Sequence, residues 1–94
     1  MIYWNVCYRC KNGVRAEFYQ ALCSQKIREK TLGEAGCVRY DFFFDAQDPD
    51  VLLLVEIWTD HESQNTHRQT KTCHQLQVLK AEYCVDTVID KFKA

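Results

Sequence analysis

The chain has 94 residues, which fits a single domain near the lower end of what can bury a self-sufficient core. Its formal net charge is −1, and its charges are interspersed, so no basic stripe predicts nucleic-acid binding. The longest apolar run, residues 51–55, is too short to span a bilayer, and the first residues lack the features of a signal peptide. We expect a cytoplasmic protein without nucleic-acid or membrane partners.

The six cysteines would suggest a disulfide framework if the protein were secreted. No export signal supports that setting, and most of the cysteines lie in apolar patterns, where a free thiol packs as a small hydrophobe. Cys7 and Cys10 have CxxC spacing, but they fall in a predicted strand, where residues three apart point to opposite faces. We therefore expect free thiols and no redox motif.

The first half of the chain predicts a strand, a helix and a second strand. Residues 1–9 alternate two sets rich in aromatic and β-branched side chains, which is typical of a strand. Apolar residues at helical spacing predict a helix over residues 14–30, with Gln25 and Arg28 at the edge of its apolar stripe. The segment 33–36 contains two glycines that end this helix, and residues 37–45 predict the second strand.

The second half predicts strand, helix and strand. Residues 46–50 are a turn cluster, so the strand over residues 51–58 runs antiparallel to the second one. Asp60 is a good N-cap for a helical region that starts near His61, ends near residue 80 and breaks around residues 70–72. Residues 84–92 predict the last strand, whose apolar residues are Val85, Val88, Ile89 and Phe92.

The order β-α-β-β-α-β predicts one α+β domain over residues 1–94, with the ferredoxin-like fold and a four-stranded antiparallel sheet. Right-handed crossovers place the first and third strands side by side and both helical regions on one face of the sheet. The second and third strands are apolar on both faces, as residues 42–44 and 51–55 illustrate. The face without helices therefore needs a cover, and we expect a homodimer whose sheets face each other.

Several segments resemble the antibiotic biosynthesis monooxygenase domain family. They are residues 34–41 (EAGCVRYD), residues 48–49 (DP), residues 56–60 (EIWTD) and His67, and the resemblance runs in register along nearly the whole chain. It implies a dimeric α+β barrel with a pocket between helices and sheet. The family includes cofactor-independent monooxygenases of quinols and polyketide anthrones, relatives that degrade haem, and an isomerase of a phosphorylated quorum-sensing signal.

The chain departs from the family pattern in three places. Ser63 and Gln64 occupy positions where the family has a small and then an apolar residue. Residues 68–73 replace a T-P-H-aromatic segment after His67, and Arg28 stands where relatives often carry His or another polar residue. These departures indicate a different chemistry, a differently built pocket or an inactive member.

Cofactor-free oxygenation requires a base, a polar group for the resulting anion and a dry aromatic pocket. We predict Asn5, Trp58 and His67 as catalytic residues around one cavity. Asn5 could hold a substrate oxygen, Trp58 could supply a wall with one N–H donor, and His67 could move a proton. The alternatives are a core aromatic for Trp58 and a solvated helix residue for His67, whereas a buried Asn5 amide would demand partners.

Six further residues are predicted to line the substrate pocket: Arg28, Arg39, Tyr40, Phe42, Leu54 and Glu56. For Glu56 we favour a structural ion pair with Arg39 or Arg28 over a role as a base. His67 and His74 lie seven residues apart, but a zinc site needs a third or fourth ligand. We expect no metal, haem or other cofactor.

The sequence thus predicts a cofactor-independent monooxygenase of a small aromatic or quinol-like substrate. One alternative is an isomerase of a small phosphorylated carbonyl compound, which would bind phosphate through Arg28, Arg39 or Lys71. The other is a non-catalytic dimeric ligand-binding module, and the replaced segment after His67 favours it.

Overall fold

The computed structural model describes residues 1–93, and its elements follow in the order β1 (Ile2–Cys10), α1 (Arg15–Ser24), α2 (Ile27–Leu32), β2 (Cys37–Phe44), β3 (Val51–Trp58), α3 (His61–His67), α4 (Lys71–Tyr83) and β4 (Cys84–Lys93). The strands form one antiparallel sheet in the order β2-β3-β1-β4, so the first and third strands are neighbours. The predicted ferredoxin-like α+β fold is confirmed. No helix within residues 1–93 is both long and apolar enough to cross a membrane.

The predicted helix over residues 14–30 is two helices in the structure, so the prediction of one continuous helix is wrong. The break lies at Gln25 and Lys26, where Lys26 adopts a left-handed backbone with φ 55°. This break rotates α2 relative to α1. As a result, Ile27 and Thr31 of α2 both face the core and are fully buried. This explains how the chain keeps an apolar face despite the polar residues that interrupt a single helical stripe.

The second helical region also consists of two helices, separated by residues 68–70, close to the predicted break. Asp60 caps α3 as predicted, since its Oδ1 accepts a hydrogen bond of 2.8 Å from the Ser63 N–H. Thr70 caps α4 in the same way, with its Oγ1 accepting from the Cys73 N–H at 3.1 Å. Two capped helix starts therefore fix where α3 and α4 begin.

The hydrophobic core lies between the helices and one face of the sheet. Successive strand residues point to opposite faces, and the central strands β1 and β3 bury about every second side chain. The core includes Ile2, Trp4, Val6 and Tyr8 from β1, Leu52, Leu54 and Trp58 from β3, Phe18 and Leu22 from α1, and Leu76 and Leu79 from α4.

The other side of the sheet, which we call the open face, carries Tyr3, Asn5 and Cys7 of β1, Leu53, Val55 and Ile57 of β3, Phe43 of β2, and Val88 and Phe92 of β4. Its side chains are less buried than those of the core: Phe43, Val88 and Phe92 are 42%, 54% and 56% exposed. This is the surface for which the sequence predicts a partner.

One arginine ties α1 to the turn between β2 and β3. Arg15 Nη1 donates to the carbonyl oxygens of Asp45, Asp48 and Val51 at 3.0, 2.9 and 3.1 Å. Its guanidinium carbon also lies 4.4 Å from the centroid of the Phe44 ring, which adds a cation–π contact. Backbone carbonyls away from water need donors, and this side chain supplies them for the turn.

Candidate active site

His67 ends α3 and is almost fully buried. Its Nδ1 lies 2.9 Å from Oε1 of Glu34, on the loop between α2 and β2. Burial lowers the pKa of His67, but the hydrogen bonds and charges of Cys73 and Glu34 outweigh it, so that the net pKa lies above the usual 6.5. The ring is thus held in one orientation and suited to taking up a proton near neutral pH.

Gly36 brings the Glu34 loop close to the start of α3. Its φ is 84°, a left-handed conformation, and its carbonyl accepts from the Thr59 N–H at 2.8 Å. A Cβ at this position would collide with the Ser63 side chain and lie 2.8 Å from Thr59 Oγ1. Glycine is therefore needed both for the backbone conformation and for the close approach that sets Glu34 against His67.

Glu56 and Trp58 share one parity on β3 and face the helices. Trp58 is fully buried, and its Nε1 donates to Glu56 Oε1 at 2.8 Å. Burial raises the pKa of Glu56 above its usual value, and hydrogen bonds from Trp58 and Gln64 and the charge of His67 only partly offset it. The Trp58 ring also lies against the His67 imidazole, with centroids 4.8 Å apart. Trp58 thus contacts both Glu56, through a hydrogen bond, and His67, through its ring.

A cavity of about 100 Å³ lies between the core face of the sheet and helices α3 and α4. Trp4, Val6, Tyr8 and Leu76 form apolar parts of its wall, and Tyr40, Glu56, Gln64, His67 and Cys73 bring polar atoms to it. Its lining also includes Arg68, Gln77, Lys80 and Ile89, which are partly or largely exposed. The cavity therefore joins a buried polar cluster to the protein surface.

The Tyr40 hydroxyl has no hydrogen-bond partner among the described residues, although Tyr40 is fully buried. The same holds for Thr87 Oγ1 on β4, and both residues line the cavity. A buried hydroxyl without a partner costs free energy, so such groups usually mark a place that receives another polar atom. Tyr40 can donate its proton to a ligand oxygen in this cavity.

The comparisons with known proteins agree with this architecture. Residues 1–79 match the model of the antibiotic biosynthesis monooxygenase family. The chain belongs to this family. No curated protein matches the chain.

Solved structures with the family fold cover the whole chain or nearly all of it. A Nitrosomonas europaea protein named for the family has a TM-score of 0.89 and 19% identity, covering 100% of this chain and 98% of its own. A conserved Methanosarcina mazei protein has a TM-score of 0.86 and 24% identity, with coverages of 98% and 90%. A Bacteroides thetaiotaomicron protein of unknown function, described as a possible oxidoreductase, has 0.84 and 26%, with coverages of 97% and 94%.

In this family member, two of the three predicted catalytic residues meet. Trp58 and His67 are in ring contact, whereas Asn5 lies on the open face. Its strand neighbours Trp4 and Val6 line the cavity, and alternation along a strand therefore turns Asn5 away from it. Trp58 is fully buried in the core, so His67 is the one of the three that lines this cavity. The expectation that all three residues surround one cavity is wrong for a single chain.

The predicted ion pair of Glu56 with Arg28 or Arg39 is also wrong. Both arginines bind Asp41 instead, with Arg28 Nη2 2.8 Å from Oδ1 and Arg39 Nε 2.7 Å from Oδ2. Hydrogen bonds from Arg39 and then Arg28 lower the pKa of Asp41. Arg28 lines a separate surface cleft of about 310 Å³ beside α1, and neither arginine lines the cavity of His67.

Of the four other residues predicted to line the pocket, two line the cavity and two lie elsewhere. Tyr40 and Glu56 line the cavity, Phe42 lines the surface cleft beside α1, and Leu54 is fully buried in the core. The family-like segment 34–41 contains Glu34, but only the folded chain shows that it holds His67.

The two histidines weighed as metal ligands, His67 and His74, lie on either side of the break between α3 and α4. His67 is buried and His74 is exposed. Within residues 1–93, no group of three or more His, Cys, Asp or Glu side chains is arranged to hold a metal ion. The absence of a cofactor stays a prediction.

Proposed function

We propose that the protein is a cofactor-independent monooxygenase of a small quinol-like substrate with one ring. The observation that carries the proposal is the pairing of the buried His67 with Glu34 beside an aromatic cavity, in a member of the antibiotic biosynthesis monooxygenase family. The pair supplies a base with a fixed orientation, and the aromatic side chains of the cavity suit a flat apolar ring.

In the proposed reaction, His67 takes the phenolic proton of the substrate, and Glu34 stabilises the imidazolium that forms. The Tyr40 hydroxyl donates to the resulting oxyanion. The electron-rich anion then reacts with O2. A hydroquinone and O2 give a hydroxyquinone and water, so one oxygen atom enters the ring and the substrate supplies all the electrons.

The volume of the cavity favours a small substrate. An engineered apolar cavity of about 150 Å³ binds benzene, and the cavity here measures about 100 Å³. A single ring needs a modest shift of the long side chains at its exposed side, where Gln77 and Lys80 lie. A polycyclic anthrone would require the helices to move apart.

The phosphorylated-substrate alternative receives less support. Arg28 and Arg39 already bind Asp41, which offsets their charge. Lys71, the third predicted phosphate ligand, is exposed at the start of α4 and does not line the cavity. The cationic side chains that line the cavity are Arg68 and Lys80. They lie among its more exposed lining residues.

Oxygen uptake with a panel of one-ring and fused-ring quinols tests the proposal. We expect uptake with the one-ring compounds, and a His67→Ala variant should lose about 10²–10⁴-fold in kcat because the base is gone. His74→Ala is the matched control, since His74 is exposed on α4. Uptake no faster than spontaneous oxidation, or equal rates for wild type and His67→Ala, would overturn the proposal.

We also propose that two chains pair through the open face. Its support is the exposed Phe43 on β2 and the exposed Val88 and Phe92 on β4. Leu53 and Cys7 join Phe43 to Val88 across the sheet, so these side chains form a wider apolar surface than isolated ones would. Each chain would keep its own cavity, because the cavity lies on the helix side of the sheet.

A further inference from the structure

Cys73 lies in the same cavity as His67 but has no part in the oxygenation above. It is 6% exposed, lines the cavity, and occupies the first turn of α4, a helix of 13 residues. Backbone N–H groups at a helix N-terminus favour a negative charge nearby.

Cys73 and His67 line the same cavity, and the nearby Cys73 side chain raises the pKa of His67. Because Nδ1 of His67 faces the Glu34 carboxylate at 2.9 Å, Nε2 is the ring nitrogen left for the thiol. A nucleophile, a base and a group that orients the base thus lie close together at one cavity. This is the arrangement by which enzymes activate a weak nucleophile.

The break between α3 and α4 allows Cys73 and His67 to face the same cavity. In one continuous helix, residues six apart would be separated by about 9 Å along the axis and would point in widely different directions. Here Thr70 joins the two ends: its Oγ1 donates to the His67 carbonyl at 2.7 Å and accepts from the Cys73 N–H at 3.1 Å. One side chain therefore links the backbone of the base to the backbone of the thiol residue.

A second polar group points to a ligand at the same place. The Tyr40 hydroxyl is fully buried and unpartnered among the described residues. Burial raises the pKa of Tyr40 well above its usual value, so its proton stays on the oxygen. The cavity thus offers a nucleophilic sulfur and a hydrogen-bond donor for one small molecule.

We infer that Cys73 is a covalent nucleophile toward small quinone-type carbonyl compounds, with His67 as its base and the Tyr40 hydroxyl as donor to the carbonyl oxygen. His67 takes the thiol proton, and Sγ forms a bond to the ring carbon β to the carbonyl. The electron pair of that C=C bond moves towards the carbonyl oxygen, which takes up the proton. The ring carbon then loses its own proton, which moves to the second carbonyl oxygen.

The product is a thioether of the quinol, and the quinone itself is the electron acceptor, so no other oxidant takes part. The aromatic side chains Trp4 and Tyr8 of the cavity suit a flat ring. The step uses the same cavity as the proposed oxygenation but needs no O2.

Anaerobic labelling of the folded protein with 1,4-benzoquinone tests this inference, with peptide mass spectrometry to measure each thiol. Cys23 is the internal reference because it is exposed in the same chain. We expect Cys73 to gain one quinone at least tenfold faster than Cys23, despite its burial. His67→Ala should reduce labelling of Cys73 to below that of Cys23, and Glu34→Gln should reduce it less.

Tyr40→Phe separates chemical activation from simple access. It should slow quinone addition about tenfold, because the developing oxyanion loses its donor. Labelling by iodoacetamide should be unchanged, since that displacement does not build charge on a carbonyl oxygen in the same way. Circular dichroism checks that each variant is folded. Labelling of Cys73 no faster than Cys23, or no change in folded His67→Ala, would overturn the inference, and neither result depends on oxygen uptake.

Discussion

Replacing Gly36 by alanine tests how the loop positions Glu34. A non-glycine residue in the left-handed region costs about 1–2 kcal/mol, and φ at Gly36 is 84°. The new Cβ would also collide with Ser63 and approach Thr59 Oγ1 to 2.8 Å. Overpacking of this kind costs about 1–3 kcal/mol. The expected loss in the free energy of unfolding is therefore about 2–5 kcal/mol, a large part of the ~5–15 kcal/mol typical of a domain.

Gly13→Ala is the matched control for this prediction. Gly13 also has a left-handed φ, 78°, but a Cβ there would meet nothing within 4 Å. It should cost only the backbone share, about 1–2 kcal/mol. Urea denaturation followed by circular dichroism gives both values, with the slope against urea concentration checked for constancy.

The same variant should also affect the chemistry of the site. If the loop moves away, Glu34 stabilises the imidazolium less, and the pKa of His67, measured by NMR titration, should fall. Equal destabilisation by Gly36→Ala and Gly13→Ala, together with an unchanged His67 pKa, would refute the reasoning.

Three further predictions concern pH, assembly and the surface charges. The pKa of Glu56 and that of His67 are both raised on folding, so the folded state binds more protons and the free energy of unfolding should fall as pH rises above 4.5 and again above 6.5. Urea titrations should show that Glu56→Gln removes the first fall and His67→Gln the second; an unaltered profile would contradict this. Phe92→Lys on the open face should give monomers by sedimentation, while Val78→Lys on α4 should not, although both side chains are more than half exposed; a monomeric wild type would contradict the proposed pairing. Asp41→Asn should cost at most about 1 kcal/mol because its ion pairs are surface ones, yet it should create phosphate binding in calorimetry by freeing two guanidinium groups, and failure to do so would argue against charge compensation there.

The sequence predicts the sheet well because strand alternation is a local signal. The shared parity of Glu56 and Trp58 is visible in the chain, and both face the helices. The same rule separates Asn5 from Trp4 and Val6, although a polar amide in an otherwise apolar strand favours a site residue. In the structure, strand alternation places Asn5 on the open face, away from the cavity.

The break between α1 and α2 and the contacts of His67 are harder to predict from the sequence. Lys26 carries the left-handed turn between α1 and α2, and lysine is not a residue type that marks such a turn. Glu34 and Cys73 reach His67 from a loop and from the next helix. Only tertiary packing fixes such contacts, because neither has a spacing that one helix or strand would explain.

Arg15 has a consequence for how the chain reaches its fold. A β-hairpin can form by itself in about 1–10 μs, but the inner carbonyls of the β2–β3 turn receive their donor from a side chain 30 to 36 residues earlier. The turn can thus reach its final bonding only when α1 has arrived. Hairpin closure and helix docking then become one cooperative event, and a peptide that begins at β2 should hold this hairpin only weakly.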